Sequence, residues 1–385
     1  MYADGVTSAT LTLLATSALL AAALTWIARA LGRRLTWHDT PGSRGHAKHE
    51  IRPVPNVGGT AIFWTITALV GAGFAAAEWF PGLIGSQFPA FEAHIPGVRS
   101  QAPMGLGVLA AALALHITGL IDDRRALPAI PKLLVIAAAS AAVVILFDVR
   151  LLTMLDAHAG GPWLSIALTV VWFVTVTNAM NFMDNMDGLS AGVGAVAGGL
   201  FLTAALIHGQ WFVAMALAAV VGSLIGFLVF NFPWPGRRAS IFMGDGGSLV
   251  VGFLLAFLTV RTTYAGATVS AEPSGVGWYA VFMPLCVLAV PLYDLISVCI
   301  IRIAQGKSPL VGDQQHFSHR LRARGLTVRQ TLAVIYGCTA VTGIGGLVLG
   351  SLSGWAAALI GVQTVLVLVL LGIYEHASGT KAQRP

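Results

Sequence analysis

Asn178-Ala179-Met180-Asn181-Phe182-Met183-Asp184-Asn185-Met186-Asp187-Gly188 stands between two long apolar runs, residues 163–177 and 189–207. Three Asn and two Asp thus fall within eleven residues of a chain that is only 10% charged. Flanks of that length and character are membrane spans. A carboxylate facing lipid at the centre of a span costs about 2.5–3.5 kcal/mol. Such groups persist only if a metal ion, a polar ligand or water at the membrane face compensates them.

Working outward, the same alternation of apolar run and polar junction covers the chain. The 385 residues are 56% hydrophobic, with a mean hydropathy of +0.80. A span needs roughly 20 apolar residues. Eleven stretches qualify, near 9–31, 57–77, 104–121, 131–149, 163–180, 188–208, 211–232, 247–263, 278–302, 331–352 and 354–374. The 44 glycines suit closely packed membrane helices. The predicted fold is an all-α polytopic membrane protein forming one domain. Residues 78–103, with four prolines, read as a loop, as does 148–162. Cys286, Cys299 and Cys338 lie in apolar spans without metal spacing and read as reduced filler.

Basic residues set the orientation. The first span is preceded by Asp4 alone and followed by Arg29, Arg33 and Arg34, the reverse of a cleavable signal. An uncleaved first helix with its amino end outside is expected, with the carboxyl end cytoplasmic. On that assignment 19 of the 22 Lys and Arg lie inside, leaving Arg99, Arg150 and Arg261 outside. The net charge of +6 then describes a basic inner face suited to anionic lipids or phosphates, and calls for no nucleic acid.

Acids collect at the same inner ends. Asp122 and Asp123 close the third span ahead of Arg124 and Arg125. Adjacent residues on a helix point about 100° apart, so separate roles are expected rather than chelation of one ion. The alternative is a helix-end pair neutralised by the two arginines. Asn178, Asn181, Asp184 and Asp187 are spaced by three and rotate about 60° per step. Either the chain bends near Gly188 or different members serve different ligands. Asp245, in Phe242-Met243-Gly244-Asp245-Gly246-Gly247-Ser248, is an N-cap or a metal ligand beside phosphate-facing amides. Gly58-Gly59 would bring backbone amides up to a neighbour or an anion. Asp313-Gln314-Gln315-His316-Phe317-Ser318-His319-Arg320 offers cationic donors, with no Cys or third His to make a zinc site. Oxygen-only groups of this kind suit Mg²⁺, held by one or two protein ligands plus substrate phosphates.

Six blocks in order resemble the polyprenyl-phosphate N-acetylhexosamine-1-phosphate transferases. They are Asp39-Thr40-Pro41 through Pro55-x-x-Gly58-Gly59, Gly119-Leu120-Ile121-Asp122-Asp123, Asn178 to Leu189, Phe242 to Ser248, Pro291-Leu292-x-Asp294, and Asp313 to Leu321. Together they span about 39–321. The first loop carries Arg44-Gly45-His46 and His49 where the family commonly has Arg-Lys-x-His. The last block keeps two of three His. That is similar to the WecA-type branch more than to the MraY branch, whose donor is a muramoyl-pentapeptide.

The resemblance implies transfer of a sugar 1-phosphate from a UDP-N-acetyl sugar, such as UDP-GlcNAc, to undecaprenyl phosphate, releasing UMP. The setting is the cytosolic face of a bacterial inner membrane, in cell-envelope polysaccharide synthesis, and a homodimer is compatible with it. By resemblance Asn181 and Asp245 are ligands of Mg²⁺, for which Mn²⁺ could substitute, and Asp122 is the base. Asp187 and Phe242 hold the uridine. Asp123, Asp184, His316, His319, Arg320 and Asp313 complete the phosphate and metal surroundings. Two other classes compete: a transporter or lipid flippase, and an intramembrane prenyltransferase. A transporter site tends to sit at the bilayer midplane with a detectable repeat, and a prenyltransferase leaves the His316/His319/Arg320 block without a task.

Overall fold

A computed structural model describes residues 2–37, 54–87, 89–264, 281–310 and 315–377. The helices, in order, are α1 Tyr2–Arg34, α2 Gly58–Trp79, α3 Pro81–Gln87, α4 Pro89–Glu92, α5 Ile95–Asp122, α6 Ala129–Leu146, α7 Asp156–Ala159 and α8 Trp163–Phe182. There follow α9 Leu189–Ile207, α10 Trp211–Asn231, α11 Asp245–Tyr264, α12 Met283–Val287, α13 Ala289–Ala304, α14 Phe317–Ala323, α15 Val328–Val348 and α16 Gly354–Ala377. No strand forms among the described residues; the nearest approach is one parallel bridge between Asn56 and Phe242.

Ten of these helices are long and apolar enough to cross a membrane, so the chain is a multi-pass membrane protein. The eleventh expected span, 278–302, is divided. Pro291 has no N–H, and its ring would meet the carbonyl of Val287 in an unbroken helix. The helix accordingly ends at Val287, passes through Leu288 at φ −98° and ψ 14°, and restarts as α13.

The expected loop at 78–103 is instead largely helical. Pro81 and Pro89 open α3 and α4, and Pro96 is the second residue of α5. A proline in the first turn gives up an N–H that has no helical partner anyway. Three of the four prolines read as loop markers are thus helix starts, and the fourth, Pro103, lies inside α5. Within 148–162, Asp156–Ala159 likewise forms the short α7.

α11 lies at the centre with nearly all of its residues buried, whereas α16 is largely exposed and presents Leu359, Leu370 and Ile373 outward. In water that face would be costly; in lipid it is not. Glycines set how closely the central helices approach. A Cβ on Gly59 of α2 would come within 2.2 Å of Gly247 N, and one on Gly119 of α5 within 2.3 Å of Gly246 N. The same logic seats α1 on α10. Gly222 and Gly226 form a Gly-x-x-x-Gly step against which the α1 carbonyls of Leu14 and Ala18 lie. Ser17 Oγ donates to Ala219 O at 2.6 Å across that contact. Cys286, Cys299 and Cys338 are free thiols.

Candidate active site

The polar stretch 178–188 does bend, and where its spacing left open. Helix α8 ends at Phe182, residues 183–188 turn, and Gly188 takes φ +79° before α9 begins. Asn231 holds the turn from both sides: its Oδ1 accepts from Gly188 N and its Nδ2 donates to Ile241 O, each at 2.9 Å. Asn178 and Asn181 therefore belong to a helix, and Asp184 and Asp187 to a turn.

Four helix ends meet here. Lys132, in the first turn of α6, places Nζ 3.0 Å from Asp122 Oδ2 of α5 and 3.3 Å from Asn181 Oδ1 of α8, and also pairs with Asp245 Oδ2 of α11. Asn181 Nδ2 donates to Asp245 Oδ1 and to Ser248 Oγ, both at 2.9 Å. The second oxygen of Asp122, Oδ1, accepts from Leu127 N. The side chains of Lys132, Asp122 and Asp245 remain 14%, 15% and 26% exposed, so the cluster is reachable from outside.

Asp123 faces elsewhere, as the 100° step between neighbours requires. Its Oδ1 accepts from Asn56 Nδ2 at 2.9 Å and Asp245 N at 3.0 Å, and its Oδ2 accepts from Gly246 N at 3.1 Å. It thus satisfies amides that the start of α11 leaves without helical partners. Burial, followed by the neighbouring Asp245 carboxylate, pushes the Asp123 carboxyl up from its ordinary range, and those amides oppose the shift. Gly244, at φ +71°, clears the way, because a Cβ there would lie 2.5 Å from Asp123 Oδ2. His116 supports the same turn from below: Nδ1–H donates to Gly246 O at 2.7 Å and the ring stacks on Phe63.

Phe242 is fixed by its backbone. Its N–H donates to Pro55 O at 2.8 Å and its O accepts from Gly58 N at 2.9 Å, while Gly59 N donates to Met243 O at 2.9 Å. The Gly58 and Gly59 amides thus go to a neighbouring segment. Asp187 Oδ2 accepts from Ala239 N at 3.2 Å, tying the 183–188 turn to the segment that carries Phe242. Asp184 lies close enough to Asp123 to act on it electrostatically.

The histidine block docks on the same turn. Asp294, fully buried in α13, accepts from His316 Nδ1–H at 3.0 Å and from Phe317 N at 2.6 Å, capping α14. Such a bond directs the other ring nitrogen of His316 away from the anchor. The His316 ring meets Phe182 edge to face at 5.2 Å, and the Arg302 guanidinium covers Phe182 at 5.3 Å. Ser318 Oγ donates to Asn185 Oδ1. The His319 ring lies 6.4 Å from that of His316. Arg320 is held by Glu375 Oε2 at 2.7 Å, Ser297 Oγ at 2.8 Å and Gln315 O, which roots α14 in α13 and α16. Asp313, His46 and His49 lie outside the described residues.

Sequence reasoning left Lys132 out of the site and gave Asp294, Asn56 and Ser248 no task. A lone Lys in the first turn of an apolar helix was the available signal for the first.

Among the described residues no group of three or more His, Cys, Asp and Glu gathers to hold a metal ion. The donors that do converge are oxygens. Asp122 Oδ2, Asn181 Oδ1 and Asp245 Oδ2 surround one cationic nitrogen, Lys132 Nζ. An all-oxygen set with few protein ligands fits a hard divalent cation whose remaining ligands come from phosphates and water.

Residues 105–263 match the family described as glycosyl transferase family 4. A Mycobacterium tuberculosis protein, decaprenyl-phosphate N-acetylglucosaminephosphotransferase, is 34% identical over 303 residues, 74% of this chain and 70% of its own length. A probable undecaprenyl-phosphate N-acetylglucosaminyl 1-phosphate transferase of Bacillus subtilis is 28% identical over 345 residues, covering 89% and 84%. The undecaprenyl-phosphate alpha-N-acetylglucosaminyl 1-phosphate transferase of Yersinia pestis is 28% identical over 321 residues, covering 81% and 77%.

Proposed function

We propose, for a chain that belongs to glycosyl transferase family 4 alongside the polyprenyl-phosphate N-acetylglucosaminyl 1-phosphate transferases, that it moves N-acetylglucosamine 1-phosphate from UDP-GlcNAc to a polyprenyl phosphate. An oxygen of the lipid phosphate bonds to the β-phosphorus of the donor. The bond from that phosphorus to the bridging oxygen breaks, and UMP leaves. The observation that carries the reading is the meeting of Asp122, Lys132, Asn181 and Asp245 from four helices at one end of an apolar bundle.

Each residue then has a task. Asp122, its Oδ1 fixed by Leu127 N and its Oδ2 beside Lys132, takes the proton of the lipid phosphate. Lys132 keeps two carboxylates together and supplies positive charge where phosphate charge develops. Asn181 and Asp245 would hold Mg²⁺, which when bound neutralises the phosphates of the donor. Asp123 orients the first turn of α11 and so aims Asp245. Asp187 and Phe242, tied to one another through the Ala239–Phe242 segment, receive the uridine. His316, aimed by Asp294, together with His319 faces the diphosphate; Arg320 holds α14 in place. Asp184 and Asp313 complete the polar surround.

The cluster lies at the end of the bundle where α1 finishes in Arg33 and Arg34, which suits a cytosolic face of the inner membrane and an amino end outside. On this reading α12 and α13 together make the eleventh crossing. The transporter and prenyltransferase alternatives have no comparable support from a family match. Incubating membranes that contain the protein with UDP-[¹⁴C]GlcNAc, Mg²⁺ and undecaprenyl phosphate tests the reading. Label should enter the organic phase with release of UMP, and Asp245→Asn should reduce this at least about a hundredfold while the protein stays folded. Unchanged turnover in Asp245→Asn would remove the metal-site assignment.

A further inference from the structure

At the end of the bundle opposite the acid cluster lies a cavity of about 540 Å³. Its walls come from the first turns of α1, α5 and α10 and the last turns of α2 and α11, with α3 and α4 across the top. Leu13, Val70, Phe74, Phe212 and Ala216 make it apolar, and Arg261 sits in its wall. The volume is within the roughly 300–1,000 Å³ usual for ligand sites. From Trp211 to Ala219, both lining it, is eight residues of helix, about 12 Å of depth at 1.5 Å per residue.

Arg261 is the telling residue. Three basic side chains were placed at this end from sequence, and two are neutralised. Arg99 pairs with Glu78, and Arg150 with Asp148 and Asp156. Arg261 forms no ion pair among the described residues. Among the described residues its Nη2 reaches only Gln101 Oε1, at 3.4 Å, and its Nε is buried without an acceptor. A guanidinium in that state is costly unless an anion meets it. Its place in the last turn of α11 suits headgroup level, with the apolar shaft running inward from there.

We propose that this cavity binds one anionic phospholipid from the leaflet opposite the active site, with the phosphate on Arg261 and an acyl chain between α1, α2 and α10. The site is separate from the transfer site and would be occupied whether or not the enzyme is turning over. A free anion is disfavoured because the shaft offers it nothing, and a zwitterionic phospholipid because its own ammonium competes with Arg261 for the phosphate.

The test uses the full chain in nanodiscs of equal phosphatidylglycerol and phosphatidylcholine, with retained lipid read by native mass spectrometry. The wild type should keep one phospholipid, enriched about tenfold in the species whose phosphate has no ammonium of its own. Arg261→Gln should abolish the preference. Gly73→Phe should abolish retention, since nothing lies within 4 Å of a Cβ added there and the ring would fill the shaft. Both variants should keep transfer activity, which shows that they fold; if Gly73→Phe does not fold, Arg261→Gln decides. Retention of no lipid by the wild type, equal retention of both lipids, or an undiminished preference in Arg261→Gln would overturn the assignment.

Discussion

Lys132 is where the chemistry of single residues is most concentrated. Two carboxylates and an amide oxygen share one ammonium, and each comes from a different helix. Without the Lys, Asp122 and Asp245 would face each other with nothing between them, and a phosphate entering would meet two negative charges. Lys132→Ala should therefore lower kcat/KM by on the order of 10²–10³. Lys132→Arg should recover little, because a planar fork cannot replace a compact ammonium among three oxygens. Steady-state rates with UDP-GlcNAc check this; a Lys132→Ala enzyme within a factor of three of wild type would show that the ammonium is only structural. Sequence reading placed Asp122, Asn181 and Asp245 at helix ends but could not say that they share one partner. Spacing along a chain fixes the angle between neighbours on a helix; it does not fix which helices meet. That is also why Asp122 and Asp123 could be assigned separate roles from their 100° offset, while the partner of Asp123, the first turn of α11, emerged only in three dimensions.

At the scale of elements, the site depends on how closely α2, α5 and α11 approach. Gly59 and Gly119 face the backbone of Gly246 and Gly247, with no side chain between. A substitution there has no flexible neighbour to displace. Gly119→Val should push the α5 end away from α11, separating Asp122 from Asp245 and Asp123 from the amides that it caps. The expected result is loss of transfer activity together with a lowered unfolding temperature, followed by intrinsic fluorescence in detergent. Gly71→Val, with nothing within 4 Å of its added Cβ, should leave both nearly unchanged. Equal tolerance at Gly119 and Gly71 would contradict the close-packing argument. Element ends were the least legible part of the sequence. Pro81, Pro89 and Pro96 were read as loop residues because proline breaks a helix interior, yet each sits in a first turn where it costs nothing. Pro291, inside a span that looked continuous, does break it.

For the whole molecule, the fold class could be read directly from composition. An apolar run of membrane length has few other uses, and ten of eleven expected spans are helices long enough to cross. The order of polar blocks was legible for the same reason, since in so apolar a chain every acid stands out. What composition could not supply was the cavity opposite the acid cluster, whose apolar walls come from α1, α2, α3, α4, α5 and α10 and whose arginine, Arg261, comes from α11. The central claim concerns which bond is made, and position-specific phosphorus labelling of the donor measures it. With UDP-GlcNAc carrying ³²P in the β-phosphate, the account predicts that label passes into the organic phase with the lipid while the UMP released is unlabelled. Recovery of the β-label in water-soluble UDP, with only the sugar on the lipid, would contradict it.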